Sequence, residues 1–111
     1  MLVAAMEIRL FLPWAVEKAK GKHPALPWER LRLETLDEGL CVQAMHQGPY
    51  ASEPETLARM HAFLEEQGLS DGCGTPGPQG IRRHHELYLS DPRRTAPEKL
   101  RTVLRHPVVA L

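Results

Sequence analysis

Net charge is the first thing this sequence lacks: fourteen basic residues balance fourteen acidic ones, with no long block of either sign. A surface that binds nucleic acid concentrates Lys and Arg against the phosphates, so the balance argues against a nucleic-acid partner. The nearest basic feature, Arg82-Arg83-His84-His85 with Arg93-Arg94, reads as a solvated strand end and turn. Cysteine is scarce too. Cys41 and Cys73 have no CxxC spacing and are too few for a disulfide framework. Cys41 lies in an apolar strand and reads as a buried thiol, while Cys73, in a Gly/Pro loop, reads as a free surface thiol. No apolar run approaches the roughly eighteen residues that cross a membrane. The apolar opening Met1–Met6 is interrupted by Glu7 and Arg9 and follows no basic stretch, which argues against a secretory leader. The six histidines show no HxxxH or HxH spacing, and the adjacent His84 and His85 face opposite ways on a strand, so neither a metal site nor a cofactor is expected. No serine sits in a GxSxG elbow. What remains is one small domain of 111 residues, expected to be soluble and cytoplasmic.

Several elements can be read from spacing. Ile8, Leu12, Val16 and Ala19 fall at helical intervals, but Pro13 interrupts them, so the helix is expected over residues 13–21 with Gly21 ending it. After the connector His23–Pro27, the alternation of Leu31–Leu36 predicts a strand. A turn at Asp37-Glu38-Gly39 then leads to a second, antiparallel strand over Leu40–His46. Ser52 followed by Glu55 has the form of a capping box, Pro54 suits a first helical turn, and Leu57, Met60 and Leu64 make an apolar stripe that Gly68 terminates. Residues 71–80 hold four glycines and two prolines and read as a loop. Beyond them come a strand around Glu86, a turn at Asp91-Pro92, a helical turn near Pro97-Glu98-Lys99 and an amphipathic strand over 101–108. From Leu40 onward the order is strand, helix, strand, strand. This is an α+β arrangement in which a helix covers one face of an antiparallel sheet.

The strand His84–Pro92 carries the candidate chemistry. Side chains alternate, so His84, Glu86, Tyr88 and Ser90 share a polar face, while His85, Leu87 and Leu89 form a face greasy enough to pack on a helix. Glu86 is mid-strand between an imidazole and a phenol. Glu53 opens the capped helix, where the dipole favours an anion. Two carboxylates in different surroundings suit an acid/base pair. The residues alone leave plainer roles open: a first-turn acid for Glu53, a solvated acid for Glu86, a packing residue for Tyr50, and core or interface positions for Trp14 and Trp28.

Several phrases, taken in order, resemble the GyrI-like small-molecule-binding family, and more closely its stand-alone bacterial branch that includes cyclopropanoid cyclohydrolases. They are Glu38-Gly39-Leu40-Cys41-Val42-Gln43, Met45-His46-Gln47-Gly48-Pro49-Tyr50, Glu53-Pro54, and His84 through Arg94. Thr95-Ala96-Pro97-Glu98-Lys99-Leu100 and Arg105-His106-Pro107 continue the series. The resemblance runs from about Val16 to Val108. It implies a fold of two strand–helix–strand–strand modules with a ligand cleft between them, of which only the second is complete here: residues 1–30 would be a partial first module with its linking helix, and 31–111 the second module. It also implies that Glu86 and Glu53 are the catalytic carboxylates. Tyr88, His84, His46 and Tyr50 would be ligand-contacting positions, and the ligand a small apolar or aromatic molecule. With half of the cleft wall missing, a homodimer is expected to rebuild it. The enzymatic reading is a detoxifying hydrolysis; the other reading is a non-catalytic binding or sensor module, or a remnant without a complete cleft.

Overall fold

The structure is a computed structural model that describes residues 2–110, with side-chain surroundings from Leu10 onward. The chain divides after Thr35 into two compact units.

In the first unit, α1 (Leu2–Lys22) runs straight through Pro13 and one residue past Gly21, so it is longer than the 13–21 expected. A proline removes one N–H and crowds the preceding turn, which breaks the sequence pattern without ending this helix. Lys20 and Lys22 lie in the last turn, at the negative end of the helix dipole. A short turn at Trp28–Arg30 follows, and the Trp28 indole N–H donates to the His23 carbonyl at 2.8 Å. Trp14 is exposed rather than part of a core.

The expected strand at Leu31–Leu36 does not form. Alternation supplies two faces, but a strand also needs a partner edge. None is offered to this segment, and Leu31, Leu33 and Leu36 all remain exposed.

The second unit is built around its last strand, β6 (Arg101–Ala110). β1 (Cys41–Gln47) pairs antiparallel with one edge, Cys41 opposite Pro107 and Gln47 opposite Arg101. β5 (His85–Tyr88) and β2 (Leu69–Asp71) share the other, β5 opposite Thr102–Arg105 and β2 opposite Val108–Ala110. Pro107 falls in the gap between them, where no neighbour requires its missing N–H. α2 (Glu53–Glu66) crosses one face of the sheet, and a small hairpin, β3 (Pro76–Gly77) with β4 (Gly80–Ile81), closes the glycine-rich loop. Gly68, at φ +69°, takes the left-handed turn that ends α2. Gly72 passes so close to β6 that an added Cβ would stand 3.1 Å from the Pro107 carbonyl oxygen. The α+β class and the order strand, helix, strand, strand are as the sequence implies, with the three-residue β2 and the β3–β4 hairpin in addition.

Met60 and Leu64 from the stripe of α2 pack with Val42, Leu104 and Val108, and Leu57, Ala44 and Leu69 lean on them. This core sits on the even-numbered face of β1 and β6. Glu86 is directly opposite Leu104, so Glu86, and with it His84 and Tyr88, lie on the helix side of the sheet. This reverses the sequence expectation, which gave the helix to His85, Leu87 and Leu89. Strand parity follows from register against β6, and at the sheet margin a polar side chain can reach past the end of α2 instead of lying beneath it. The uncovered face carries the row Met45, Val103, Leu87 across three paired strands, with Met45 46% and Leu87 39% exposed.

Thr102 is 1% exposed, and its Oγ1 has no hydrogen-bond partner within the protein. Burying an unpaired hydroxyl costs about 1–3 kcal/mol. Thr102→Val, which keeps the branched shape, is therefore expected to raise the urea midpoint by about 1 kcal/mol of stability. A lowered midpoint would show that the hydroxyl is satisfied.

Candidate functional site

Glu53 is the first residue of α2 and points at the sheet margin where Glu86 lies. The chain is brought there by the turn Pro49–Ser52, and that turn is held by His46. The Pro49 carbonyl can only accept, so His46 Nε2–H donates to it at 2.9 Å, leaving Nδ1 to accept from the Thr56 hydroxyl at 2.6 Å. His46 is 4% exposed and engaged at both nitrogens; the structure places it behind Glu53. Ser52 donates to the Pro49 carbonyl at 2.8 Å and makes no side-chain cap, so the Ser52–Glu55 capping box is not formed. The His46-centred turn takes its place.

Around Glu86 the contacts are short. Tyr88 donates its hydroxyl to Oε2 at 2.6 Å, and His84 Nε2 is 2.9 Å from Oε1. Tyr50 meets the Tyr88 ring edge-on, with centroids 5.7 Å apart. Five of the six expected residues (Glu53, Glu86, Tyr88, His84 and Tyr50) therefore share one margin of the sheet, with His46 beneath.

Two carboxylates in contact cannot both stay charged cheaply. Burial, then a hydrogen bond to Glu86 and that residue's charge, push Glu53 above the ordinary glutamate range. Tyr88 and His84 hold Glu86 below it against the effect of burial. Of the two, Glu53 is therefore the weaker acid and Glu86 the stronger. Glu53 Oε1 is buried with no donor directed at it, as suits a neutral carboxyl.

The direction has a consequence for stability. A raised pKa means that the folded state holds the proton more tightly, so the contribution of Glu53 is complete below the ordinary value of 4.5 and is lost as pH rises through its folded value. Glu86 acts oppositely, its contribution being lost as pH falls. Glu53→Gln removes the first effect, so urea midpoints across a pH series should shift in favour of the variant as pH rises from 4.5. A constant gap would mean that the pair does not share a proton.

From His84 the contacts continue away from the carboxylates. His84 Nδ1 is 2.6 Å from His106 Nε2. His106 Nδ1 is 2.9 Å from Asp71 Oδ2, and His61 Nε2 is 3.0 Å from the same oxygen. Burial opposes the ionisation of Asp71, yet the Cys73 N–H and thiol, His106 and His61 hold it well below the usual carboxylate range. Cys73 is exposed, as expected. Partial desolvation and the Asp71 charge push its thiol up to about 12, so it is not a reactive thiolate. Cys41 is half-buried, its thiol 3.4 Å from the Glu38 carbonyl. Sequence spacing missed His61, Asp71 and His106 because they come from α2, β2 and β6. The one available signal was the alternation Thr102, Leu104, His106, which puts His106 on the same face as Leu104.

On the opposite face, Glu38 pairs with His85 at 2.6 Å and Arg105 at 2.9 Å. A concavity of about 120 Å³ opens beside Glu38, His85, Gln79 and Arg82, and none of the six expected residues lines it. The chemistry is concentrated at Glu53 and Glu86 instead, on an open margin rather than in an enclosed cavity. Among the described residues no helix is long and apolar enough to cross a membrane.

An antiparallel sheet with one covering helix, and a pair of carboxylates with two tyrosines at its margin, define an α+β module. The family model for the GyrI-like small molecule binding domain matches residues 14–109. The chain belongs to the GyrI-like family. Its structure is similar to that of a hydrolase from Listeria innocua at TM-score 0.72 and 46% identity, covering 88% of this chain and 47% of the other. An uncharacterized conserved protein from Listeria innocua is similar at TM-score 0.73 and 48% identity, covering 88% and 46%. A further hydrolase from Listeria innocua is similar at TM-score 0.68 and 43% identity, covering 91% and 47%. The chain thus spans about half the length of these structures. A search of curated proteins finds no match.

Proposed function

We propose that this chain supplies one wall of a cleft that binds a small apolar or aromatic electrophile, and that Glu86 and Glu53 hydrolyse it as base and acid. The observation that carries the reading is the placement of Glu86 between the Tyr88 hydroxyl at 2.6 Å and His84 Nε2 at 2.9 Å with Glu53 beside it, surroundings that lower the pKa of Glu86 and raise that of Glu53. For a cyclopropanoid substrate, Glu86 takes a proton from water as the water oxygen bonds to a ring carbon. The strained C–C bond breaks, its electron pair moves onto the conjugated electron-withdrawing group, and Glu53 delivers the balancing proton. Tyr88, already donating to Glu86, and Tyr50 edge-on to it line the approach, and a flat aromatic ligand can stack there. The similarity to proteins described as hydrolases supports the class of reaction.

The second edge of β1, unpaired among the described residues, favours a homodimer. A second reading, non-catalytic binding of a cationic aromatic compound, draws on the same anion at Glu86 and on the openness of the margin. Sedimentation of the purified chain combined with steady-state assay of a cyclopropanoid probe separates these. A dimer with saturable turnover supports hydrolysis, saturable binding without turnover supports the binding module, and a monomer with neither overturns both.

A further inference from the structure

His61, Asp71 and His106 stand outside the carboxylate pair and converge on one point. The two ring nitrogens approach the same Asp71 Oδ2 at 3.0 and 2.9 Å, and the three atoms lie within 4.8 Å of one another. The other Asp71 oxygen accepts the Cys73 N–H at 2.8 Å, which fixes the carboxylate. The other His106 nitrogen is held by His84 at 2.6 Å. His61 is half exposed and leaves the point open to solvent.

Counting donors shows what this array lacks. Asp71, His106, His84 and Glu86 are joined by three contacts in series. Each contact needs one N–H, because ionised carboxylates only accept. Two neutral imidazoles bring only two. An added proton on one imidazole supplies the third N–H, and a metal cation on His106 Nδ1 supplies the same link: His106 Nε2–H donates to His84 Nδ1, His84 Nε2–H donates to Glu86, and the cation takes the place of the third hydrogen between His106 and Asp71. Metal-bound histidines characteristically donate their second N–H to such an outer partner.

We propose that His61 Nε2, His106 Nδ1 and Asp71 Oδ2 bind a divalent transition-metal ion of the zinc type, with water completing the shell. Two imidazoles and one carboxylate suit a borderline ion better than magnesium or calcium. Ligand atoms about 2.0–2.1 Å from zinc in a tetrahedral shell stand about 3.3 Å apart, so the two nitrogen-to-Oδ2 spacings of 3.0 and 2.9 Å need open by only a few tenths of an ångström. The site faces α2 and β2, while the carboxylate pair lies beyond His84. Ion binding orients His84 toward Glu86 without contacting the proposed substrate.

The test uses the full chain, stripped with chelator and titrated with zinc chloride by calorimetry, with cobalt(II) absorption reporting four-coordination. One ion per chain is expected. In ¹⁵N-histidine spectra, His61 Nε2 and His106 Nδ1 should move to the metal-bound region while His23 and His46 stay in place. His61→Ala, at a half-exposed position with little effect on folding, should weaken binding at least about tenfold, the scale on which even outer partners act. Asp71→Asn should do the same, with His23→Ala as the unchanged control. No saturable binding, or affinity unaltered in folded His61→Ala, overturns the site. These readouts do not involve turnover, so they stand or fall separately from the hydrolysis reading.

Discussion

Glu86→Gln is expected to cut turnover of a cyclopropanoid probe by about 10²-fold or more, the scale of a lost general base, while ligand saturation changes little. The amide has the size of the carboxylate and can still accept from the Tyr88 hydroxyl, so packing at the margin is preserved. Its loss of charge matters more. Glu86 is kept ionised by Tyr88 and His84, and that anion is one reason Glu53 retains its proton. The variant therefore loses the base and also releases Glu53 toward ordinary acidity. Both effects should appear together, as a collapse in kcat and a displacement of the alkaline limb of the pH–rate profile toward lower pH. Turnover that survived the substitution would remove Glu86 from the mechanism. Were the protein a binder of cationic ligands, the same change would weaken affinity instead and no wild-type turnover would be found.

Leu104→Ala should remove a large fraction of the stability of the second unit, about 2–5 kcal/mol. Leu104 is 0% exposed, in the middle of the central strand, against Met60 and Leu64 of α2. Truncating such a leucine costs about 2–5 kcal/mol, including the cavity it leaves, against a total of about 5–15 kcal/mol for a domain. The second unit has a small core, so the fractional loss is large. β6 is also the strand to which β1, β2 and β5 all pair, so those three strands lose their support together. Urea denaturation followed by tryptophan-independent far-UV circular dichroism measures the loss. A shift below about 1 kcal/mol would mean that the cavity collapses without strain.

Local signals were read where the residues that make an element also complete it. The stripe Leu57, Met60, Leu64 with Gly68 behind it defined α2, because helix hydrogen bonds close within the segment. The alternation around Glu86 likewise placed Glu86 and Tyr88 on one face with His84. The strand at Leu31–Leu36 failed for the converse reason: its pattern is right, but its hydrogen bonds needed another strand. Ser52 shows a subtler miss. Its spacing to Glu55 satisfied the capping rule, yet His46, six residues upstream on a strand, took over the turn that Ser52 was expected to hold.

The sequence by itself determined the α+β class, the family and the position of α2. All of these rest on spacing within short segments or on phrases that survive as contiguous text. Only the tertiary structure decided that the helix lies on the Glu86 side, that Glu53 and Glu86 come together at one margin, and that His84, His106, Asp71 and His61 join in one array. Those facts depend on register against β6, where a shift of one residue would turn every side chain to the other face. No local pattern encodes that choice, since the whole sheet fixes it at once.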